Sequence, residues 1–161
     1  MITFVSDDIF QSKASVWVNP VNCVGVEGAG LAKKFKKRFP DENAQYVEAC
    51  RSGIVRLGTV SWVLRDVGNR HEPPRVVVYF PTKLHWLDNS RLEDIAKGLE
   101  SLKEAAREFN FPSLAVPALG CGLGGLLWSD VKPLMTQYLQ DLPSVTVYKP
   151  QFPRLADLWD Y

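Results

Sequence analysis

Two glycine-rich loops, each set between a short β-branched run and a helical pattern, constrain this chain more than any other feature. Asn22-Cys-Val-Gly-Val-Glu-Gly-Ala-Gly30 follows Ser15-Val-Trp-Val-Asn19, and Gly120-Cys-Gly-Leu-Gly-Gly125 follows Ser113-Leu-Ala-Val-Pro117. A strand, glycine loop and helix repeated in this way reads as a layered α/β domain. Glycine lets backbone approach a ligand closely and turns N–H groups outward, which suits a diphosphate. Two such loops at strand ends imply one nucleotide-sized ligand held from both sides.

Strands are predicted over residues 2–5, 15–19, 59–64, 75–80, 113–119 and 144–149. Val76-Val-Val-Tyr-Phe80 is apolar throughout, as in a strand covered on both faces. Leu31, Phe35 and Phe39 recur at helical spacing until Pro40 ends the pattern. A second helix is predicted over 43–52, with Gly53 as its C′ residue. Ser90 and Glu93 read as a capping box opening a helix whose stripe is Leu92, Ile95, Ala96, Leu99, Leu102, Ala106 and Phe109. A last helix is expected from Ser129, with Pro133 in its first turn and Leu134, Met135, Tyr138, Leu139 and Leu142 inward. Residues 65–75 read as an exposed loop. Residues 1–150 form one domain in this reading, and 151–161 a tail or the start of a linker.

Bulk properties narrow the class. A length of 161 residues suits a single domain with its own core. A net charge of +1 supplies no global field toward nucleic acid or membrane, so any such contact needs a local patch. Cys23, Cys50 and Cys121 are odd in number and unspaced for a disulfide framework, which implies free thiols in a reducing compartment. The start has no basic region before an apolar stretch, and no apolar run approaches spanning length, so a cytoplasmic protein with no membrane contact is expected.

Gly120, Gly122 and Gly125 match G-x-G-x-x-G literally, but late in the chain and with a helix starting only at Ser129. That is the wrong context for a dinucleotide fingerprint. No G-x-x-x-x-G-K-[ST] occurs, which excludes a P-loop ATPase by motif. With His71 and His85 the only histidines and no C-x-x-C, no metal site is expected, and no cofactor. A Cys121–His85 nucleophile pair is conceivable, though nothing in the sequence orients it.

Val18-Asn-Pro-Val-Asn22, Gly28-Ala-Gly-Leu-Ala32 and Val116-Pro-Ala-Leu-Gly-Cys-Gly-Leu-Gly-Gly125 together resemble a macrodomain, in matching order from about residue 2 to 149. The resemblance implies a three-layer α/β/α fold with a central mixed, mostly parallel six-stranded sheet, and a cleft for ADP-ribose. Phe35-Lys-Lys-Arg-Phe-Pro40, Phe80-Pro-Thr-Lys-Leu-His-Trp86 and Gly120–Leu126 are similar to one branch, the DarG-type antitoxin macrodomains. That branch removes ADP-ribose from thymidine bases in DNA. A related branch, the terminal ADP-ribose protein glycohydrolase, shares the Thr-Lys pair but has a catalytic aspartate where this chain has Gly124. The implied substrate is ADP-ribosylated, single-stranded DNA, and the implied partner a cognate DNA ADP-ribosyltransferase toxin. Two other functions remain open at this point: a non-catalytic ADP-ribose reader, and a hydrolase of protein-linked ADP-ribose.

The resemblance assigns roles residue by residue. Lys83 is the candidate catalytic amine, following an apolar strand where partial desolvation yields a usable nucleophile; its bland reading is a solvated loop lysine. Asn22 positions the distal ribose, or opens the loop as an Asx-turn, or does both. Asp8 takes the adenine amino group with help from the Ile9 N–H, and Tyr148 is a further adenine-side candidate, with Phe152 beside it. Gly28, Gly30, Leu31, Gly120, Cys121, Gly122, Leu123, Gly124 and Gly125 embrace the diphosphate and distal ribose. His85 and Trp86 are candidate base contacts, against the plainer reading of a Trp packed on the next helix. Lys33 and Lys36 are candidate DNA contacts within a basic face of Lys33, Lys34, Lys36, Lys37 and Arg38, joined by Arg51 and Arg91; that face otherwise reads as solvated. Glu27 is a candidate general base, although a loop glutamate is ordinarily solvated. Asn19 is read as structural.

Overall fold

The computed structural model describes residues 1–66, 68 and 72–151. His71 and Phe152, with the tail 152–161, lie outside the described residues. Six strands, β1 (Ile2–Val5), β2 (Val16–Asn22), β3 (Ser61–Leu64), β4 (Val76–Lys83), β5 (Leu114–Pro117) and β6 (Val145–Tyr148), form one sheet in the order β1-β6-β5-β2-β4-β3. All neighbours run parallel except β3, which pairs antiparallel with β4 at the edge. The sheet is therefore mixed and mostly parallel.

Side-chain alternation along the central strands sorts the core into two layers. Trp17, Val77 and Tyr79 face a cluster completed by Phe35 and Phe39 around α1 (Gly30–Arg38) and by Tyr46 from α2 (Pro40–Arg51). Val18, Val78 and Phe80 face the other, with Ile95, Leu99 and Leu102 from α3 (Leu92–Glu108) and Trp128, Val131 and Met135 from α4 (Trp128–Leu139). Helices cover both faces, which is why Val76–Phe80 reads as an unbroken apolar run. Each large side chain sealed there contributes about 1.5–3 kcal/mol.

Several boundaries differ from expectation for identifiable reasons. β2 and β4 each run past a proline, Pro20 and Pro81, to end at Asn22 and Lys83. β5 pairs with β2 only at Val16 and Trp17, and β3 pairs with β4 only as far as Tyr79. Beyond those points each strand has an unladdered edge, where a missing N–H is tolerated. Pro40, expected only to end α1, also occupies the first turn of α2.

The capping box at Ser90 is not formed. Arg91 is the N-cap of α3 and makes no side-chain cap bond, while Ser90 N donates to the Gly124 carbonyl at 2.8 Å. Phe109 leaves the inward stripe and meets Trp62 edge-on at 4.9 Å. α4 opens at Trp128, so Pro133 falls in the helix interior rather than its first turn.

Gly98 shows where close packing outranks helix propensity. A Cβ there would lie 2.4 Å from Phe80 Cζ, on a ring with no solvent exposure. Propensity alone favours Gly98→Ala by about 1 kcal/mol, whereas overpacking costs about 1–3 kcal/mol. Chemical denaturation is expected to show net destabilisation by Gly98→Ala, with a smaller loss when Phe80 is first shortened to leucine. A Gly98→Ala protein as stable as the parent would contradict this packing account.

Candidate functional site

Parallel strands deliver their C-terminal ends to one edge of the sheet, where the connecting loops gather. A cleft of about 730 Å³ opens there, walled by the first glycine loop, the second glycine loop and the end of β4.

Asn22 fixes the first loop. Its Oδ1 accepts from the backbone N–H groups of Val24 and Gly25 at 3.1 Å and of Val26 at 3.4 Å. Nδ2 donates to the Val26 carbonyl at 2.7 Å, and Tyr46 Oη donates to Oδ1 at 3.1 Å and to the Asn22 carbonyl at 2.7 Å. The Asx-type reading of Asn22 is thus realised. The same carboxamide, 6% exposed, sits on the cleft wall with one amide hydrogen not used in these bonds. At about 0.5–1.5 kcal/mol per bond, the side chain acts as the fastener of the whole loop. Gly30 enters α1 with φ +63°, a conformation that favours glycine.

The second loop is held by close backbone approach. Leu126 N donates to the Gly120 carbonyl at 2.9 Å, Gly125 N to Gly122 at 3.2 Å, and Ser90 N to Gly124 at 2.8 Å. A Cβ on Gly124 would stand 2.2 Å from Ser90 Oγ and 2.7 Å from the Gly120 carbonyl oxygen. No carboxylate fits at 124 without moving the loop or Ser90. The loops meet across the cleft, since a Cβ on Gly30 would touch Leu123 Cδ1 at 3.5 Å.

Lys83 ends β4 and is the register partner of Asn22, directly after an irregularity between Val21 and Asn22. The two candidate reaction-centre residues are therefore neighbours on adjacent strands. Lys83 Nζ donates to the Trp86 carbonyl at 3.1 Å, and buried Thr82 ties β4 to the Val21 carbonyl at 3.3 Å. Trp86 is half-exposed on the cleft rim, with His85 5.3 Å away and tilted by 30°. His85 Nδ1 accepts from Leu87 N at 3.2 Å, which puts the proton of a neutral ring on Nε2.

At the far end, Asp8 caps a 3-10 turn over Ile9–Gln11 through Oδ1 and Phe10 N at 3.0 Å. Asp8, Ile9 and Tyr148 line the same cleft, as do Gly28, Gly30, Leu31, Gly120, Cys121, Gly122, Leu123 and Gly124. Gly125, His85, Lys33 and Lys36 do not line it. Gly125 turns the chain with φ +83°, and His85 lies beside Trp86. From α1 it is Lys34 that reaches the cleft. Arg38 instead lies 5.9 Å over the rings of Phe10, Trp17 and Phe39, while Arg51 and Arg91 pair with Glu48 and Glu93 on the surface. Cys121 Sγ donates to the Leu119 carbonyl at 3.7 Å.

Sequence reasoning passed over Ser90 and Tyr46 as contributors, and named Lys34 only as part of a basic face. Lys34 could have been singled out, because it follows Gly30 by one helical turn and shares its face. Nothing local in the sequence marks Ser90 as the stop behind Gly124, or Tyr46 as the clamp on Asn22. Glu27 is only 5% exposed, contrary to its reading as a solvated loop residue. Among the described residues no group of three His, Cys, Asp or Glu could hold a metal ion, and no helix is long and apolar enough to cross a membrane.

With that geometry in place, the comparisons with known proteins are direct. Residues 18–135 match the family described as Macro domain, and the chain belongs to that family. It is 42% identical over 152 residues to the DNA ADP-ribosyl glycohydrolase of Mycobacterium tuberculosis, covering 93% of this chain and 42% of the relative. The solved macrodomain of Mycobacterium tuberculosis DarG superposes with a TM-score of 0.87 at 40% identity, covering 93% of this chain and 98% of that one. A Thermosipho africanus relative, 36% identical over 170 residues covering 98% of this chain and 44% of the relative, is a DNA ADP-ribosyl transferase-DNA ADP-ribosyl glycohydrolase fusion protein. A Thermosipho africanus DarTG structure in complex with ADP-ribose gives a TM-score of 0.88 at 36% identity, covering 98% of this chain and 43% of that one. This chain thus spans less than half the length of the curated relatives named here.

The packing at Gly124 makes a testable claim about the second loop. Gly124→Ala is expected to lower the thermal midpoint by an amount equivalent to about 1–3 kcal/mol. Pairing it with Ser90→Gly restores part of the loss, because the Gly120 carbonyl still crowds the new methyl. A Gly124→Ala protein unchanged in calorimetry would contradict this geometry.

Proposed function

We propose that this macrodomain removes ADP-ribose from thymine bases in single-stranded DNA by cutting the N-glycosidic bond. It thereby reverses DNA ADP-ribosylation made by a cognate transferase toxin. The observation that carries this reading is the register pairing of Asn22 with Lys83 at the inner end of a nucleotide-sized cleft. The names of the Mycobacterium tuberculosis and Thermosipho africanus relatives support the reaction class, and the fusion supports a transferase partner.

In this account the backbone of both loops holds the diphosphate, where outward N–H groups suit an anion. Asp8, Ile9 and Tyr148 line the adenine end. The remaining amide hydrogen of Asn22 orients a distal ribose hydroxyl. Lys83 Nζ, having given a proton to solvent, forms a bond to the ribose C1″ while the bond from C1″ to the base nitrogen breaks, and the base leaves with a proton from solvent. A proton passes from Nζ to the ring oxygen as the adduct opens to an imine. Water then adds, releases ADP-ribose and returns the lysine as its ammonium form. Trp86 offers a stacking surface and His85 an Nε2–H for the leaving base. Lys34, Lys33 and Lys36 supply the positive face for strand phosphates.

Release of ADP-ribose from a thymidine-modified oligonucleotide tests the reading. Lys83→Ala is expected to slow turnover by about a hundredfold or more. Lys83→Arg is equally defective, because a guanidinium offers no free amine at neutral pH. Full activity in either variant overturns the lysine mechanism. Calorimetric binding of ADP-ribose by a parent protein that turns over neither DNA-linked nor glutamate-linked substrate favours a reader instead.

A further inference from the structure

The loop between β2 and α1 is inside out. Val24 and Val26 are each 46% exposed, whereas Glu27 between Val26 and Gly28 is buried to 5%. Neither carboxyl oxygen of Glu27 has a hydrogen-bond partner among the described residues, nor does Oδ1 of neighbouring Asn19. An ionised carboxylate in that position would be an unpaired buried charge, at a cost far above that of the neutral acid. The Asn19 side chain acts on the carboxyl and favours its ionised form, but burial outweighs that pull.

The titratable groups within electrostatic reach of Glu27 come from three elements. α1 supplies Lys36, the one cation with a resolved effect on it; α2 supplies Tyr46 and Cys50; and β4 supplies Tyr79. Tyr46 stacks on Tyr79 at 4.9 Å, and both phenols feel the Glu27 carboxyl. Glu42 lies near Tyr79 but is paired with Arg65 at 3.6 Å, and Cys23 near Tyr46 is a free thiol. The same Tyr46 clamps Asn22. Glu27 therefore lies within electrostatic reach of the clamp on the first loop's fastener and lines the wall of the cleft.

We propose that Glu27 is a proton-dependent positioning residue: its neutral carboxyl holds the first loop closed, and its ionisation draws the side chain toward water and loosens Asn22 and the Gly28–Gly30 wall. Burial pushes the Glu27 carboxyl up to about 7, with Lys36 and Asn19 pulling it partly back. The sign follows from linkage. The folded protein holds the proton more tightly than the unfolded chain, so stability is lost as pH rises from about 4.5 toward about 7 and levels above it. Affinity of the cleft for a diphosphate ligand falls in the same direction, because the closed fraction of the loop falls. The cleft would then engage its ligand best in slightly acidic surroundings.

The test compares the parent with Glu27→Gln, an isosteric mimic of the neutral acid, and with Glu27→Met, which removes the polar group. The first readout needs no ligand. The thermal midpoint of Glu27→Gln should rise relative to the parent across pH 4.5 to 7, and amide exchange over residues 23–30 should be faster in the parent than in Glu27→Gln at about pH 8. The second readout is calorimetric affinity for ADP-ribose itself. It should weaken in the parent by about tenfold between pH 6 and pH 8.5, while both variants give flat profiles. This affinity readout rests on the ligand proposed above. Absence of ADP-ribose binding at every pH overturns that ligand and leaves the stability and exchange readouts to decide the role of Glu27. Identical pH profiles for parent and Glu27→Gln overturn the role itself, whatever ADP-ribose does. If Glu27→Gln fails to fold, the Glu27→Met profile decides by the same criterion.

Discussion

The parallel pairing of β2 with β4 is the interaction on which the rest of the structure depends. It runs from Val16 opposite Val76 to Asn22 opposite Lys83, with one irregularity between Val21 and Asn22. Because the strands are parallel, both end at the same sheet edge, and both must hand over to loops there. The pairing therefore does two things at once. It divides the core into two helix-covered layers, and it sets an amide and an amine side by side at the mouth of those loops. The Cys23 N–H continues the contact one step further, donating to the Leu84 carbonyl at 2.9 Å.

Two devices convert that edge into a cleft of fixed shape. The first loop is fastened from within by Asn22, which satisfies three loop N–H groups and is clamped by Tyr46. The second is fastened from outside, by Ser90 pressing on Gly124 so closely that no side chain fits between them. Where the resemblance implies a catalytic aspartate in the related branch, this loop has backbone packed against a serine. The candidate reacting groups on the cleft wall are the amide of Asn22 and the amine of Lys83, which is held to the Trp86 carbonyl.

Much of this was legible in the sequence, and the boundary of legibility follows the range of the interactions. Periodicity in Val76–Phe80 and around Leu31, Phe35 and Phe39 reports burial that each segment carries in its own residues, and the layered fold follows from it. The two loops were visible because glycine marks backbone demands locally. What was not visible depends on partners distant in sequence. Ser90 reads as a cap because Glu93 stands three residues on, yet the Gly124 carbonyl takes its N–H and Arg91 becomes the N-cap. Lys34 rather than Lys33 or Lys36 reaches the cleft, which depends on how α1 rolls against β2. Glu27 reads as a solvated loop residue, yet the fold leaves it only 5% exposed.

The central claim is that Lys83 is the nucleophile, and it is open to direct chemical capture. A thymidine-ADP-ribosylated oligonucleotide is turned over in the presence of cyanoborohydride, which reduces an imine to a stable amine, and the protein is digested for peptide mass spectrometry. The account predicts an ADP-ribosyl adduct confined to Lys83, absent when the oligonucleotide is unmodified. Turnover with no trapped lysine, or an adduct centred on another residue, would contradict it.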